Sequence, residues 1–280
     1  MRDKYRRASL DVALRSALVA EKVCEVNRSD LKTIQAPYLT APSTTVQAVV
    51  GTYTPNAVTT TDDTLTVTDE VVVATHIFGF EEITANFDLF AAFTEEQNFA
   101  VAKAIDKYVL NVVLEAGTGA YTTPAGGFTT AANINVIMSN LISKVAGYSD
   151  SYKGLFLVIE NTDVPGFIQA QATNGFSFAD AALNNGWMTS YMGVDIYVVR
   201  SGCFEDDATT ADSGSQTWSN SGHRLFGVKG ISTYAAPRGI QFEEKGVTGK
   251  TGKEIVTYGL IGAKVWAPKA DLIVDVTLTS

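Results

Sequence analysis

The hydrophobic period of the chain changes sharply, and that change limits what it can fold into. Across Thr44–Thr54 and Thr64–Phe78 the sequence is rich in Val and Thr. Val46, Ala48, Val50, Leu65, Val67, Val71 and Val73 alternate there with mostly polar neighbours, which is the period-two signature of strands. Between the two runs, Pro55-Asn56 through Asp62-Asp63 reads as a polar turn-type linker. From Thr94 the spacing becomes helical, with Phe99, Ala102, Ile105 or Asp106, Val109, Val112 and Val113 on one side as far as Gly117. Thr94-Glu95-Glu96-Gln97 has the pattern of a capping box opening that helix. A two-stranded hairpin buries too little to stand alone in water. It must lie on something, and that partner is either this chain's body or another chain.

Charge sharpens the question. The 280 residues carry a net charge of −9, unevenly placed. The first 32 hold eight basic side chains against five acidic ones, leaving 13 basic and 25 acidic in the rest. The N-terminal arm is therefore +3 and the body −12. So acidic a body argues against a dedicated nucleic-acid-binding face. The basic arm either touches phosphate or lies on an acidic neighbour. From Thr33 to Ala102 there is no Lys or Arg, while nine acidic residues occur. Edge strands of monomeric proteins are commonly protected by lysine; this hairpin has none. Either it is an acidic, solvated surface loop, or it is a surface complementary to a partner.

Around these elements the chain alternates helix and strand signals. Leu10, Leu14, Leu18, Val19 and Val23 have helical spacing within Ala8–Val26. Ile134, Ile137, Leu141 and Val145 mark a second helix, and Val164–Ala172 a third, opened by Asn161 or Thr162 with Pro165 in its first turn. Leu155–Ile159 and Ile196–Val199 read as short buried strands. Leu225–Val228, Ile240–Glu243, Glu254–Val265 and Leu272–Leu278 make the C-terminal part β-rich. Asp206–Ser221 is rich in Ser, Thr, Asp and Gly and reads as an exposed loop.

Catalytic signatures are hard to assemble from this sequence. It contains two histidines, His76 and His223, and each fits a surface or strand-end position better than a catalytic base. No HExxH or CxxC spacing suggests a metal, so no cofactor is expected. Gly249-Lys250-Thr251 matches the end of a phosphate-binding loop, but Glu244 stands where that loop needs its first glycine, and strand follows instead of helix. A hairpin turn is the better reading. The adjacent acidic pairs Glu81-Glu82, Asp206-Asp207 and Glu243-Glu244 would diverge in a strand. Cys24 and Cys203 are expected as buried thiols of a protein that matures in a reducing cytosol. No apolar run reaches membrane-spanning length, and none with a cleavage site follows the charged N-terminus.

The order of basic arm, long hairpin, long helix, mixed α/β region and terminal strands resembles the major capsid proteins of tailed double-stranded DNA phages, the Hong Kong 97-type fold. Asn98 to Glu115 and the tail from Val256 carry the nearest local likeness, with Tyr258-Gly259 and Ala267-Pro268-Lys269-Ala270-Asp271. The resemblance implies an α+β chain with an N-terminal arm at 1–40, an extended β-hairpin (E-loop) at 41–80, and a peripheral (P) domain with the spine helix at 81–127. An α/β axial (A) domain follows at 128–222, then P-domain strands at 223–280. It further implies a structural protein and not an enzyme, self-assembling into hexamers and pentamers of an icosahedral virion shell in the host cytoplasm. Packaged DNA would be touched only non-specifically, no membrane would be involved, and there is room for separate scaffolding, portal and decoration proteins. Some members cross-link through an E-loop lysine; this hairpin has none, so non-covalent contact is expected. Candidate inter-subunit residues are the acidic Asp62, Asp63, Asp69 and Glu70, meeting Arg238, Lys245, Lys250 and Lys253 of a neighbour. An encapsulin-like compartment enclosing an enzyme cargo is the alternative within the same fold; a β-rich adhesion protein would need an export signal.

Overall fold

The computed structural model describes residues 18–29, 31–39, 60–78, 89–145, 154–174, 187–207, 213–237, 239–246 and 251–279. The Thr44–Thr54 strand, Glu81, Glu82, Asp88, Arg238 and Lys250 lie outside these, as does most of the expected N-terminal helix. In chain order the elements are α1 (Ala20–Val23), β1 (Glu25–Asn27), β2 (Thr33–Leu39), β3 (Thr60–Thr66), β4 (Asp69–Ile77), α2 (Leu89–Ala116), β5 (Gly119–Ala125), α3 (Ala131–Val145), β6 (Leu155–Glu160), α4 (Val164–Asn174), β7 (Trp187–Tyr191), β8 (Val194–Val199), β9 (His223–Val228), β10 (Ser232–Ala235), β11 (Gln241–Gly246), β12 (Lys253–Val265) and β13 (Ile273–Thr279).

Two sheets sit either side of α2. In the first, β12 is the centre: β4 pairs with it antiparallel from Ile77↔Lys253 to Asp69↔Ile261, while β11 and β10 pair with its other stretches and β1 runs parallel to β10. The second sheet has the order β5-β13-β9-β6-β8-β7. The helix α2, about 42 Å long at 1.5 Å per residue, packs on β4 and β12 and reaches β13 and β9. Covered from both sides, it needs a broad apolar surface. Val101, Ile105, Tyr108, Val109, Val112 and Val113 are buried, and so are Leu110 and Leu114. Phe99 and Ala102, expected on this face, are only half-buried.

Several expectations need correction. The long helix starts at Leu89, so Thr94-Glu95-Glu96-Gln97 lies inside it and caps nothing. Gln97 is instead buried, donating to the Ile255 carbonyl at 3.1 Å and accepting from Thr257 Oγ1 at 2.8 Å. Gly117 does end the helix, and it has a second reason to be glycine: a Cβ there would stand 2.7 Å from Ile273 Cγ2. Among the described residues the N-terminal helix is limited to α1, because Cys24 turns extended and β1 follows. Its first amides, Val19 and Ala20, donate to the Asp106 carboxylate at 3.2 and 2.8 Å. The expected terminal strands also divide. β11 and β12 join β4, while β9 and β13 join the sheet of β6 and β8. The almost wholly buried β9 has apolar cover on both faces that only an interior strand receives.

Candidate inter-subunit surface

A two-stranded ribbon is present, while the expected first strand, Thr44–Thr54, lies outside the described residues. Its strands are β2 and β3, paired from Thr33↔Thr66 to Leu39↔Thr60, with 40–59 as the connection. Asp62 and Asp63 are thus not a tip: they pair with Pro37 and Ala36 within the ladder. Asp and Pro read as turn formers in isolation. Here Pro37 sits in a two-stranded ribbon, where its missing N–H leaves no interior ladder bond unmade. The run Thr64–Phe78 is likewise split, at Val67-Thr68, between β3 on the ribbon and β4 on the β12 sheet.

The root of the ribbon is clamped. Leu65 and Val67 are buried with Ala235, and Ile34 and Trp266 pack against them. Val67 N–H donates to the Lys32 carbonyl at 2.9 Å. Asp63 forms an ion pair with Lys264 and accepts from the Ala267 N–H at 3.0 Å. Burial would raise its pKa, but these donors outweigh that and hold it below the ordinary carboxylate value. Lys264 also donates to the Thr64 carbonyl at 2.6 Å and lies 5.9 Å from the centre of the Trp266 ring.

Asp69 is a second anchor. It is 8% exposed and accepts from Tyr108 Oη at 2.6 Å, from Ser215 N–H and Oγ at 2.7 Å each, and from Thr68 Oγ1 at 3.2 Å. Burial acts to raise its pKa, yet the Ser215 and Tyr108 bonds prevail and lower it. Burial and the Asp69 charge together push the Tyr108 phenol well above its usual value. One carboxylate therefore ties β4, α2 and the 213–219 loop together. Gly214 permits the approach: its φ is +60°, and a Cβ would fall 2.5 Å from Asp69 Oδ1.

That loop departs only in part from the exposed segment expected of Asp206–Ser221, of which 208–212 lie outside the described residues. Ser213, Trp218 and Asn220 are buried, and Asn220 Nδ2 donates to Asn111 Oδ1 on α2 at 3.0 Å. Several of its polar groups bond to one another and to the helix, while Thr217, Ser219 and Ser221 stay exposed. Nearby, Arg224 on β9 donates to Asp163 Oδ2 at 2.5 Å and to Glu160 Oε2 at 3.1 Å, all three groups being buried. Glu160 Oε1 accepts from the Gly202 and Phe204 amides.

Of the candidate contact residues, Asp63 and Asp69 bond within the chain; their partners Lys264, Tyr108 and Ser215 carry no local sequence signal. Asp62 and Glu70 are exposed. Lys245 and Lys253, half-exposed, form ion pairs with Glu243 and Glu244 at 2.9 and 2.8 Å. β11 and β12 pair antiparallel as far as Gly246↔Lys253, and Gly249 and Lys250 between them lie outside the described residues. His223 begins β9 and pairs with Asp275 at 2.7 Å; His76, near the end of β4, packs edge-on against Phe78. Both cysteines are buried, and burial pushes the Cys24 thiol up to about 12. Among the described residues, no group of three or more His, Cys, Asp or Glu could hold a metal, and no helix is long and apolar enough to cross a membrane.

No family model matches the chain, and no curated protein matches it. Solved structures do. The capsid of cyanophage P-SCSP1u superposes with a TM-score of 0.73 at 16% identity, covering 96% of this chain and 90% of that one. The fold is that of a phage capsid protein. Mycobacterium phage Ogopogo shares this capsid fold with a TM-score of 0.70 at 13% identity, covering 95% and 93% of the two chains. A virus-like particle from Pyrococcus furiosus shares it less closely, with a TM-score of 0.60 at 11% identity and 98% coverage of each. The α+β capsid fold implied by the sequence resemblance is the fold observed. At these identities the likeness lies in the path of the backbone.

Proposed function

We propose that this chain is the major capsid protein of a tailed DNA phage, assembling into hexamers and pentamers of an icosahedral shell in the host cytoplasm. The observation that carries the reading is the superposition on a cyanophage capsid over 96% of the chain. The architecture supports it: a two-stranded ribbon, β2 with β3, is rooted on the body by the Asp63–Lys264 ion pair. Interfaces of permanent assemblies often exceed ~2,000 Å², and repeated weak contacts add by avidity. Within this reading Asp62 and Glu70 are the acidic contacts available to a neighbour, with Arg238, Lys245, Lys250 and Lys253 as basic counterparts. The −12 body gives packaged DNA a wall to slide along without adhering.

The experiment is expression of the chain alone and with the genes adjoining it, followed by negative-stain microscopy and nucleic-acid and mass analysis of any particle. Closed shells or capsomer rings are expected. A monomer persisting at high concentration in both preparations overturns the shell. Shells formed in the native context that enclose an enzyme, with no DNA, replace the phage reading with the encapsulin-like one.

A further inference from the structure

Acidic as the body is, one part of its surface is built almost without charge. Residues 116–143 contain no Asp, Glu, Lys or Arg, and neither do Val164–Asn174 or 187–194. These stretches include β5, most of α3, α4 and β7. Burial does not explain the absence. On α3, Asn135, Val136, Ser139, Asn140 and Ser143 are exposed, and so are Ile168 and Gln169 on α4. Val136 and Ile168 are 51% and 52% exposed. By contrast, α2 reaches the surface with Glu96, Lys103 and Glu115. Asn and Ser are weaker helix formers than Glu or Lys, so solvation alone does not account for a helix face made of them.

The two helices form one surface. α3 packs on α4, and both hold Tyr191 of β7: its ring meets Phe167 edge-on at 6.2 Å, and its hydroxyl donates to Asn135 Oδ1. Asn140 Nδ2 donates to Tyr121 Oη of β5 at 3.2 Å. Such bonds fix polar side chains of the face before a partner arrives, which lowers the entropy cost of docking. Charge selects the occupant. Phosphate binding needs cations, and a strongly charged protein partner needs the opposite sign. α3, α4 and β7 hold one charged residue, Lys144 in the last turn of α3. A second copy of this chain fits where those partners do not. Beyond residue 32 it carries 13 basic and 25 acidic residues, a net −12, so copies repel where their acidic surfaces approach. On a neutral face they meet without that repulsion, and charge-poor surface is what the buried core of a protein interface is made of.

We propose that the exposed face of α3 and α4, including Val136 and Ile168, packs against a neighbouring copy of this chain in the assembled particle. The inference rests on the shell reading and adds a contact to it, neutral and apolar, distinct from the acidic contact at Asp62.

Val136→Lys and Ile168→Glu, made separately in the full chain, test it. Both positions are exposed, so the unassembled subunits should melt as wild type does. Particle yield should fall at least about tenfold for either sign of charge, because each variant strands an unpaired charge against a neutral neighbour. The loss should persist at high salt, since screening does not restore lost hydration. Hydroxyl-radical labelling of the wild type needs no variant: Val136 and Ile168 should be modified about fivefold less in particles than in free subunits, as they pass from exposed to interface core. Wild-type yield from either variant overturns the proposal, and so does yield recovered by salt. Labelling unchanged by assembly also overturns it, leaving the face to a different protein. A wild type that forms no particle overturns the shell reading and this contact with it, so the two failures are told apart.

Discussion

Tyr108, in the middle of the long helix, donates its hydroxyl hydrogen to Asp69 at the start of β4, with 2.6 Å between oxygens. Ser215 completes the joint from the other side through both its amide and its hydroxyl. Three segments far apart in sequence thus meet at one carboxylate at the base of the ribbon.

Tyr108→Phe removes one donor and should cost about 1–2 kcal/mol, whereas Asp69→Ala strands buried donors on two elements and should cost about 3 kcal/mol. Gly214→Ala, forced into a positive φ and against Asp69, should also destabilise by about 1–3 kcal/mol. Urea unfolding with an unchanged m-value measures all three. Equal stability of Asp69→Ala and wild type would refute the joint.

The joint has a pH signature. The folded-state pKa of Asp69 lies below its unfolded value, so its contribution is fully present above the unfolded value and is lost as pH falls through the folded one. Asp69→Asn should therefore lose less stability than wild type between pH 5 and 2 (about the carboxylate range), as read by thermal melts across that range.

Asp106 should act in the opposite sense. Burial raises its pKa to about 6 despite the two amides it accepts from. The folded state then holds a proton more tightly than the unfolded chain. Its contribution is greatest below the unfolded value and declines as pH rises through about 6, by up to about 3 kcal/mol. Asp106→Asn should flatten stability between pH 4.5 and 7 (roughly that window). Parallel denaturation curves for variant and wild type across it would contradict this.

Arg224 bridges Asp163 and Glu160 with all three side chains buried. Arg224→Met leaves two carboxylates without their cation and should cost about 3–5 kcal/mol. The triple replacement of all three by apolar residues should recover much of that loss, and calorimetry of both variants checks it.

Asp62→Lys separates folding from assembly. Asp62 is exposed on β3, so subunit stability should change by less than about 0.5 kcal/mol. Particle yield should fall, more steeply at low salt. Undiminished yield at low salt would exclude Asp62 from the contact.

Much of the architecture is legible in the chain because it rests on local period. The spacing of Ile134, Ile137, Leu141 and Val145 predicts α3, and the apolar run from Leu155 predicts β6. The ribbon was legible as strand, but its pairing was not. Local composition favours Thr44–Thr54 as the partner of the second strand, whereas the structure pairs Thr33–Leu39 with Thr60–Thr66. The acids of Asp62-Asp63 and Asp69-Glu70 looked alike in sequence, as four carboxylates in a lysine-free stretch. Folding divides them: Asp63 meets Lys264 and Asp69 meets Tyr108, while Asp62 and Glu70 face outward.

The sequence by itself determined that strand gives way to a long helix and that Thr33–Ala102 carries no Lys or Arg of its own. Side-chain spacing and charge are local properties, and they survive any arrangement of the rest. Only the tertiary structure decided where the strands end, which carboxylates are consumed and which remain on the surface. Those outcomes depend on partners brought from distant parts of the chain, because a buried carboxylate is stable only where donors converge on it.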